Sequence, residues 1–203
     1  MALSMLYYVL AKDVYADSGD TSHVVSSMHL IDDIAYKKEN YHALIEIPAG
    51  TRAKWEVNDK TGKLEWKLKK GKPRLVSFLG YPGNYGFIPQ TVSGDGSPLD
   101  VIVLDSSVER GVVQNIKILG RIKLLDKGIR DDKIIAVPFS GAFKEVDTLK
   151  EMLVKFPGVL EIVHTWFEGY KGSKIQFIGY GGRKKSIRLI EKSHIKWKQK
   201  ILN

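Results

Sequence analysis

Val101-Ile102-Val103-Leu104 is an unbroken apolar run. A short run of this kind, bounded by polar residues, reads as a strand buried on both faces. Ile134-Ile135-Ala136-Val137 repeats the pattern, and Ala43-Leu44-Ile45-Glu46-Ile47 gives a third buried run, stopped by Pro48. Between the first and third runs, Ala53 to Val57 alternates, Asn58 to Gly62 reads as a turn, and Lys63 to Leu68 alternates again, which predicts a hairpin. Leu75 to Leu79 reads as a further strand, and Tyr81 to Pro89, rich in Gly, Pro and Asn, as a loop. Beyond Pro138 the period changes to three or four. Leu149, Met152, Leu153 and Phe156 predict one helix, and Leu160, Val163, Trp166, Phe167 and Tyr170 predict another, ending at Gly172. Lys174 to Tyr180 reads as a last strand, Gly179 to Gly182 as a turn, and Lys184 to Ile201 as a basic C-terminal helix. Many short strands followed by helices predict an α+β domain with a β-barrel at its centre.

Composition narrows the chemistry. The chain has 203 residues, enough for one domain with a sizeable core. It has no cysteine, which excludes disulfides, zinc-thiolate sites and cysteine nucleophiles. The formal charge is +9, and a basic surface attracts polyanions without naming them. The cations cluster in Lys60 to Arg74 and in Arg183 to Lys200, while carboxylates recur between Asp95 and Asp132. A basic shell around an acidic cluster suits a metal together with an anionic substrate. Residues 1–40 read as an N-terminal arm and 41–203 as a single catalytic domain. Met1 to Ala11 is apolar but lacks a basic leader and is too short to span a bilayer. It reads either as a trimmed signal segment or as an element packed on the domain. The compartment expected is the cytoplasm, or the periplasm or exterior if that segment is a signal remnant.

In Gly94-Asp95-Gly96-Ser97-Pro98-Leu99-Asp100, two carboxylates stand five apart across a Gly-Pro turn, just before a buried strand. Asp126 and Asp131 repeat the spacing before Lys133 and the next buried strand. One such pair reads as turn formers and caps. Two pairs converging on one patch would repel unless a cation held them, and oxygen-only clusters suit Mg²⁺ or Mn²⁺. Other chemistries find no support. The five histidines lack metal-binding spacing, and there is no P-loop and no G-x-S-x-G.

These segments resemble the soluble family I inorganic pyrophosphatases, whose motif is Asp-Gly-Asp-Pro-x-Asp, and they lie nearer the eukaryotic-type sequences. The resemblance runs from about Tyr41 to near the C-terminus. It is carried by Ile45-Glu46-Ile47-Pro48, Lys54-Trp55-Glu56, Lys69-Lys70-Gly71-Lys72-Pro73-Arg74, Asn84-Tyr85-Gly86, the two acidic segments with Lys133, and Tyr170-Lys171. It implies a five-stranded OB-like barrel with flanking, mainly C-terminal helices. It also implies hydrolysis of inorganic pyrophosphate to two phosphates by metal-activated water. Asp95, Asp100, Asp126 and Asp131 would bind Mg²⁺, or Mn²⁺, with Glu46 and Glu56 adding outer contacts. Lys54, Arg74, Tyr85, Lys133, Tyr170 and Lys171 would hold phosphate oxygens, with Arg74, Tyr85 and Lys133 counted as catalytic. A homo-oligomer, dimer or hexamer, is implied, with no nucleic-acid or membrane partner.

One position departs from the motif: the family's middle carboxylate is Ser97 here. A serine hydroxyl can hydrogen-bond to the attacking water but cannot take its proton at neutral pH. General-base help is worth about 10²–10⁴-fold, so weakened turnover is expected. Two alternatives follow: a relative that binds metal and phosphate with little turnover, and a nucleic-acid-binding barrel using the basic segments with Trp55, Trp66 and Trp197. By position in a strand Glu46 faces away from Ile45 and Ile47, so exposure alone would account for it. Tyr170 reads equally as a helix-face aromatic.

Overall fold

The structure, a computed structural model, describes residues 30–202 except 33, 35, 39, 59 and 173. The possible signal segment and most of the N-terminal arm lie outside the described residues. The chain runs β1 (Tyr41–Ile47), β2 (Trp55–Val57), β3 (Leu64–Trp66), β4 (Leu68–Lys69), β5 (Lys72–Pro73), β6 (Asn84–Ile88), β7 (Leu99–Val103), β8 (Val113–Asp126), β9 (Ile129–Arg130) and β10 (Lys133–Pro138). It continues through α1 (Leu149–Lys155), α2 (Val159–Gly169), β11 (Ile175–Gly182) and α3 (Arg183–Ile201).

Five strands close a ring in the order β1-β6-β7-β10-β8, with β8 returning to β1; β11 and β9 extend from β8. Every contact in the ring is antiparallel except β7 with β10, which run parallel, Val101 beside Ile134. Alternate residues of these strands bury in two clusters. Val101, Val103, Ile134 and Ala136 join Ile45, Ile116, Ile118 and Ile190. Ile102, Ile135, Leu119 and Ile122 join Leu149, Met152, Leu160, Val163 and Phe167 of the helices. Burial on both faces is why the runs are continuously apolar. Each fully buried aliphatic side chain contributes about 1.5–3 kcal/mol. The structure thus has the expected OB-like barrel with its helices C-terminal.

Three local expectations fail. Tyr81 to Pro89 is not all loop, because β6 occupies Asn84–Ile88 and is buried throughout. Tertiary packing overrides local preference there. A Cβ at Gly86 would meet the Leu44 carbonyl oxygen at 1.8 Å, so only glycine lets β6 approach β1. Asn84 is fully buried, and its side chain accepts from the Ala49 and Val108 N–H groups and donates to the Ser106 carbonyl. Leu75 to Leu79 forms no strand; Leu75 makes a single bridge to Ala53 and is exposed, as is Leu79. Gly179 to Gly182 is no turn but the end of β11, bulged at Gly179 (φ 111°) against β8. The longest strand, β8, has no counterpart in the sequence reading. Leu30, Ile31 and Ile34 pack under the β2–β3 hairpin against Leu64 and Trp55, so that end of the arm is buried.

Candidate active site

Two backbone devices set the acidic segments. The parallel register puts Val101 beside Ile134, so Asp100 and Lys133, each one residue earlier, are also neighbours. Lys133 is 4% exposed, and its ammonium donates to both Asp100 and Asp131. Burial alone would lower the Lys133 pKa, but the Asp100 and Asp131 carboxylates overcome it and hold the amine charged, above its ordinary range. The second device is the Lys127-Gly128 turn, which links β8 to β9 with both residues at positive φ (52° and 83°). It sets Asp126 at the strand end, where one oxygen accepts from Lys171 at 2.7 Å. The other, Oδ1, is buried and finds no protein partner. Asp131 is anchored by its N–H to the Leu124 carbonyl at 2.9 Å.

Asp95 precedes Gly96 (φ 90°) in the other acidic turn. Its Oδ1 accepts from the Ser93 hydroxyl and from the Ser97 N–H. Burial would raise the Asp95 carboxyl, but these bonds and nearby Lys133 hold it below its ordinary value.

Opposite lie β1 and the hairpin. Glu46 is 6% exposed, so the alternative reading, that it simply faces solvent, fails. It accepts from the Val57 N–H at 2.7 Å. Glu56 is paired with Lys67 and lies 4.0 Å from Lys54. Lys54 is held by its N–H to the Arg74 carbonyl, which also accepts from the Trp66 indole, while the Arg74 N–H donates to the Lys67 carbonyl. Arg74 is thus held at its backbone on both sides. Tyr85 lies 5.2 Å beneath the Lys54 ammonium. Burial, followed by nearby Asp100, pushes its pKa well above the usual range, so its hydroxyl remains a donor. Tyr170 caps α2 and stacks on Trp166 at 4.6 Å, while also facing Lys171.

The four aspartates, Glu46, Glu56, Lys54, Arg74, Tyr85, Lys133, Tyr170 and Lys171 line one cavity of about 580 Å³, and so does Ser97. Every site residue expected from the sequence reaches it. Asp132, next in sequence, does not; its carboxylate goes to Arg121 (3.0 Å) and Arg130 (2.5 Å). The cavity also takes Lys67, Lys127 and Arg130, which the sequence reading missed as site residues. Lys67 is one of several cations between Lys60 and Arg74, with nothing in the sequence to single it out, and Lys127 shows its direction only through the positive-φ turn. Among the described residues no three acidic or histidine side chains already form a coordination sphere, because lysines stand between the carboxylates. The donor set nonetheless fits a hard divalent cation: all its atoms are oxygen, and the buried Asp126 Oδ1 lacks a partner.

The Glu46 environment gives a test in metal-free protein. Burial pushes its carboxyl up to about 8 from the usual 4.5, against the lowering effect of Lys54 and of the Val57 N–H. The folded chain therefore binds this proton more tightly than the unfolded chain. The stability it contributes is complete below about 4.5 and is lost as pH rises through about 8. Glu46→Gln should flatten the fall in Tm of chelated protein across that window, leaving the variant several degrees above the parent at the alkaline end. Parallel Tm profiles would contradict the assignment.

Of the three indoles that suggested a nucleic-acid platform, Trp55 and Trp197 are buried and Trp66 is half-buried. Trp55 is buried, stacks on Trp66 at 5.6 Å and lies 4.3 Å beneath Arg110. Trp197 is 9% exposed and donates to Asp32 at 2.6 Å.

Barrel and cavity together define an OB-like barrel protein with a charge-paired, carboxylate-rich cavity. Residues 43–198 match the family model described as inorganic pyrophosphatase, and the chain belongs to that family. An inorganic pyrophosphatase of Drosophila melanogaster is 35% identical over 170 residues, covering 73% of this chain and 50% of the relative. The type I inorganic pyrophosphatase of P. falciparum superposes with a TM-score of 0.76 at 27% identity, covering 84% of this chain and 63% of that one. The Thermus thermophilus inorganic pyrophosphatase superposes at 0.73 and 27% identity, covering 84% of this chain and 99% of that one. The chain spans between 50% and 65% of the length of the first curated relatives it matches. No described helix is long and apolar enough to cross a membrane.

Proposed function

We propose that this chain hydrolyses inorganic pyrophosphate to two phosphates. The observation that carries the reading is the single cavity into which separate segments deliver Asp95, Asp100, Asp126 and Asp131 together with Lys54, Arg74, Lys133 and Lys171. Family pyrophosphatases depend on metal. Here Asp95, Asp100, Asp126 and Asp131 would hold Mg²⁺, with Mn²⁺ as a substitute, and Glu46 and Glu56 would serve further contacts. Bound there, such a cation neutralises charge on the substrate and lowers the pKa of water.

The chain's own groups do the rest. Lys54, Arg74, Lys133 and Lys171 are cations placed to meet the charge that grows on the leaving phosphate. Tyr85 and Tyr170 present hydroxyl donors to its oxygens. Lys133, held charged between Asp100 and Asp131, lines the same cavity and would meet a phosphate oxygen beside the carboxylates that would hold the cation. Ser97 can orient the attacking water but takes no proton from it, so turnover is expected below that of a relative with a carboxylate there. A homo-oligomer and a cytoplasmic location belong to the same reading, supported by resemblance alone.

The test is the initial rate of phosphate release, with saturating Mg²⁺, from pyrophosphate and from a phosphate monoester at equal concentration. Pyrophosphate should be preferred by about 10²-fold or more, since clamps on both phosphates act only on the anhydride. Equal rates, or no release from pyrophosphate, would overturn the proposal.

A further inference from the structure

The cations of the cavity differ in one respect: most are already taken. Lys133 is shared by Asp100 and Asp131, Lys171 pairs with Asp126, Lys54 and Lys67 lie at Glu56, and Arg130 is held by Asp132. Among the described residues, only Arg74 and Lys127 line the cavity without a carboxylate inside 4.0 Å. Arg74 is already placed on the phosphate; Lys127 has no role assigned above.

The position of Lys127 is costly for a lysine. It occupies the first of two left-handed positions in a two-residue hairpin turn (φ 52°), where Asn, Asp or Gly is favoured. Its N–H is tied to the Lys174 carbonyl at 2.9 Å, so the turn is fixed rather than loose. The same Lys-Gly turn recurs at Lys70-Gly71 (φ 54° and 74°) away from the cavity, so the backbone angle aims Lys127 while its place on the cavity wall, with no carboxylate partner among the described residues, marks it out. Ile129, on the same hairpin, lines the cavity while 70% exposed, which places this rim at the outer mouth.

We propose that Lys127 is a binding residue for the outer phosphate of an inorganic phosphoanhydride longer than pyrophosphate, of which tripolyphosphate is the shortest. The inference rests on the pyrophosphate reading of the inner cavity and extends it outward. The inner cations hold two phosphates, and Lys127, beyond Asp126, offers an uncommitted charge to a third. A charge-assisted bond of this type is worth about tenfold in affinity.

The test uses two hydrolysis-resistant analogues, imidodiphosphate and diimidotriphosphate, titrated by calorimetry with Mg²⁺ into the full chain and into Lys127→Asn and Lys127→Arg. Asparagine suits the turn better than lysine, so its Tm should not fall. In Lys127→Asn the affinity for the three-phosphate analogue should drop about tenfold relative to that for the two-phosphate analogue. Lys127→Arg should keep the parent ratio. An unchanged ratio in Lys127→Asn, an equal loss in both variants, or no binding of the three-phosphate analogue by the parent would overturn the proposal. Pyrophosphate hydrolysis by the parent is read separately, so failure of the inner-site reading shows there and not in the ratio.

Discussion

Asp100→Asn and Asp131→Asn each lower pyrophosphate turnover by about 10²-fold or more at saturating Mg²⁺, with the fold retained. The reason lies in the strand register. Asp100 sits on β7 directly beside Lys133 on β10, and Asp131 flanks the same ammonium from the β9 side. Each substitution keeps shape and hydrogen-bonding atoms but removes a negative charge. Loss of either carboxylate weakens the grip on a divalent cation and leaves Lys133 committed to the remaining aspartate. The chemistry therefore loses charge neutralisation twice. Stability should suffer less, because Asp100 and Asp131 are partly solvent-exposed and one ion pair survives. Circular dichroism and thermal melting should show a native fold with Tm lowered by a few degrees. Near-normal turnover in either variant would remove that residue from the site.

Ser97→Asp raises turnover by about 10-fold or more. Ser97 lines the same cavity as the four aspartates, and its N–H already supports Asp95. Its side chain projects from a turn whose shape depends on Gly96 and Pro98, neither of which the change disturbs. A carboxylate there would accept the proton of the attacking water, which serine cannot. The parent should therefore gain more than the variant as pH rises, since hydroxide then forms without a base. Initial rates at saturating Mg²⁺ across neutral and alkaline pH check this. Coincident profiles with equal turnover would place position 97 off the reaction path.

Much of this architecture is visible in the residues because burial on both faces leaves an unbroken apolar run. Val101–Leu104 and Ile134–Val137 are such runs, Ala43–Ile47 is one but for Glu46, and three of the five barrel strands follow from them. The other two are masked for different reasons. β6 carries Asn84 and Gly86, residues of turns, because one staples two loops and the other yields room to the Leu44 carbonyl; both demands come from distant chain. β8 changes partners along its length, from β1 to β10 to β11, so Lys117, Arg121 and Lys123 interrupt its apolar positions. At the site, charge type and spacing point to the aspartates and to Lys133. Burial of Glu46 does not show in sequence, because strand alternation presumes one solvated face and β1 has none at that point. Nor does the reach of Lys127, which depends on a backbone angle.

The measurement closest to the central claim is phosphate release from pyrophosphate by this chain in excess chelator, followed by stepwise return of Mg²⁺. The account predicts release at background in chelator and a saturable rise as Mg²⁺ is restored, lowered about 10²-fold or more in Asp100→Asn. Undiminished release in chelator, or none at any Mg²⁺ concentration, would contradict it.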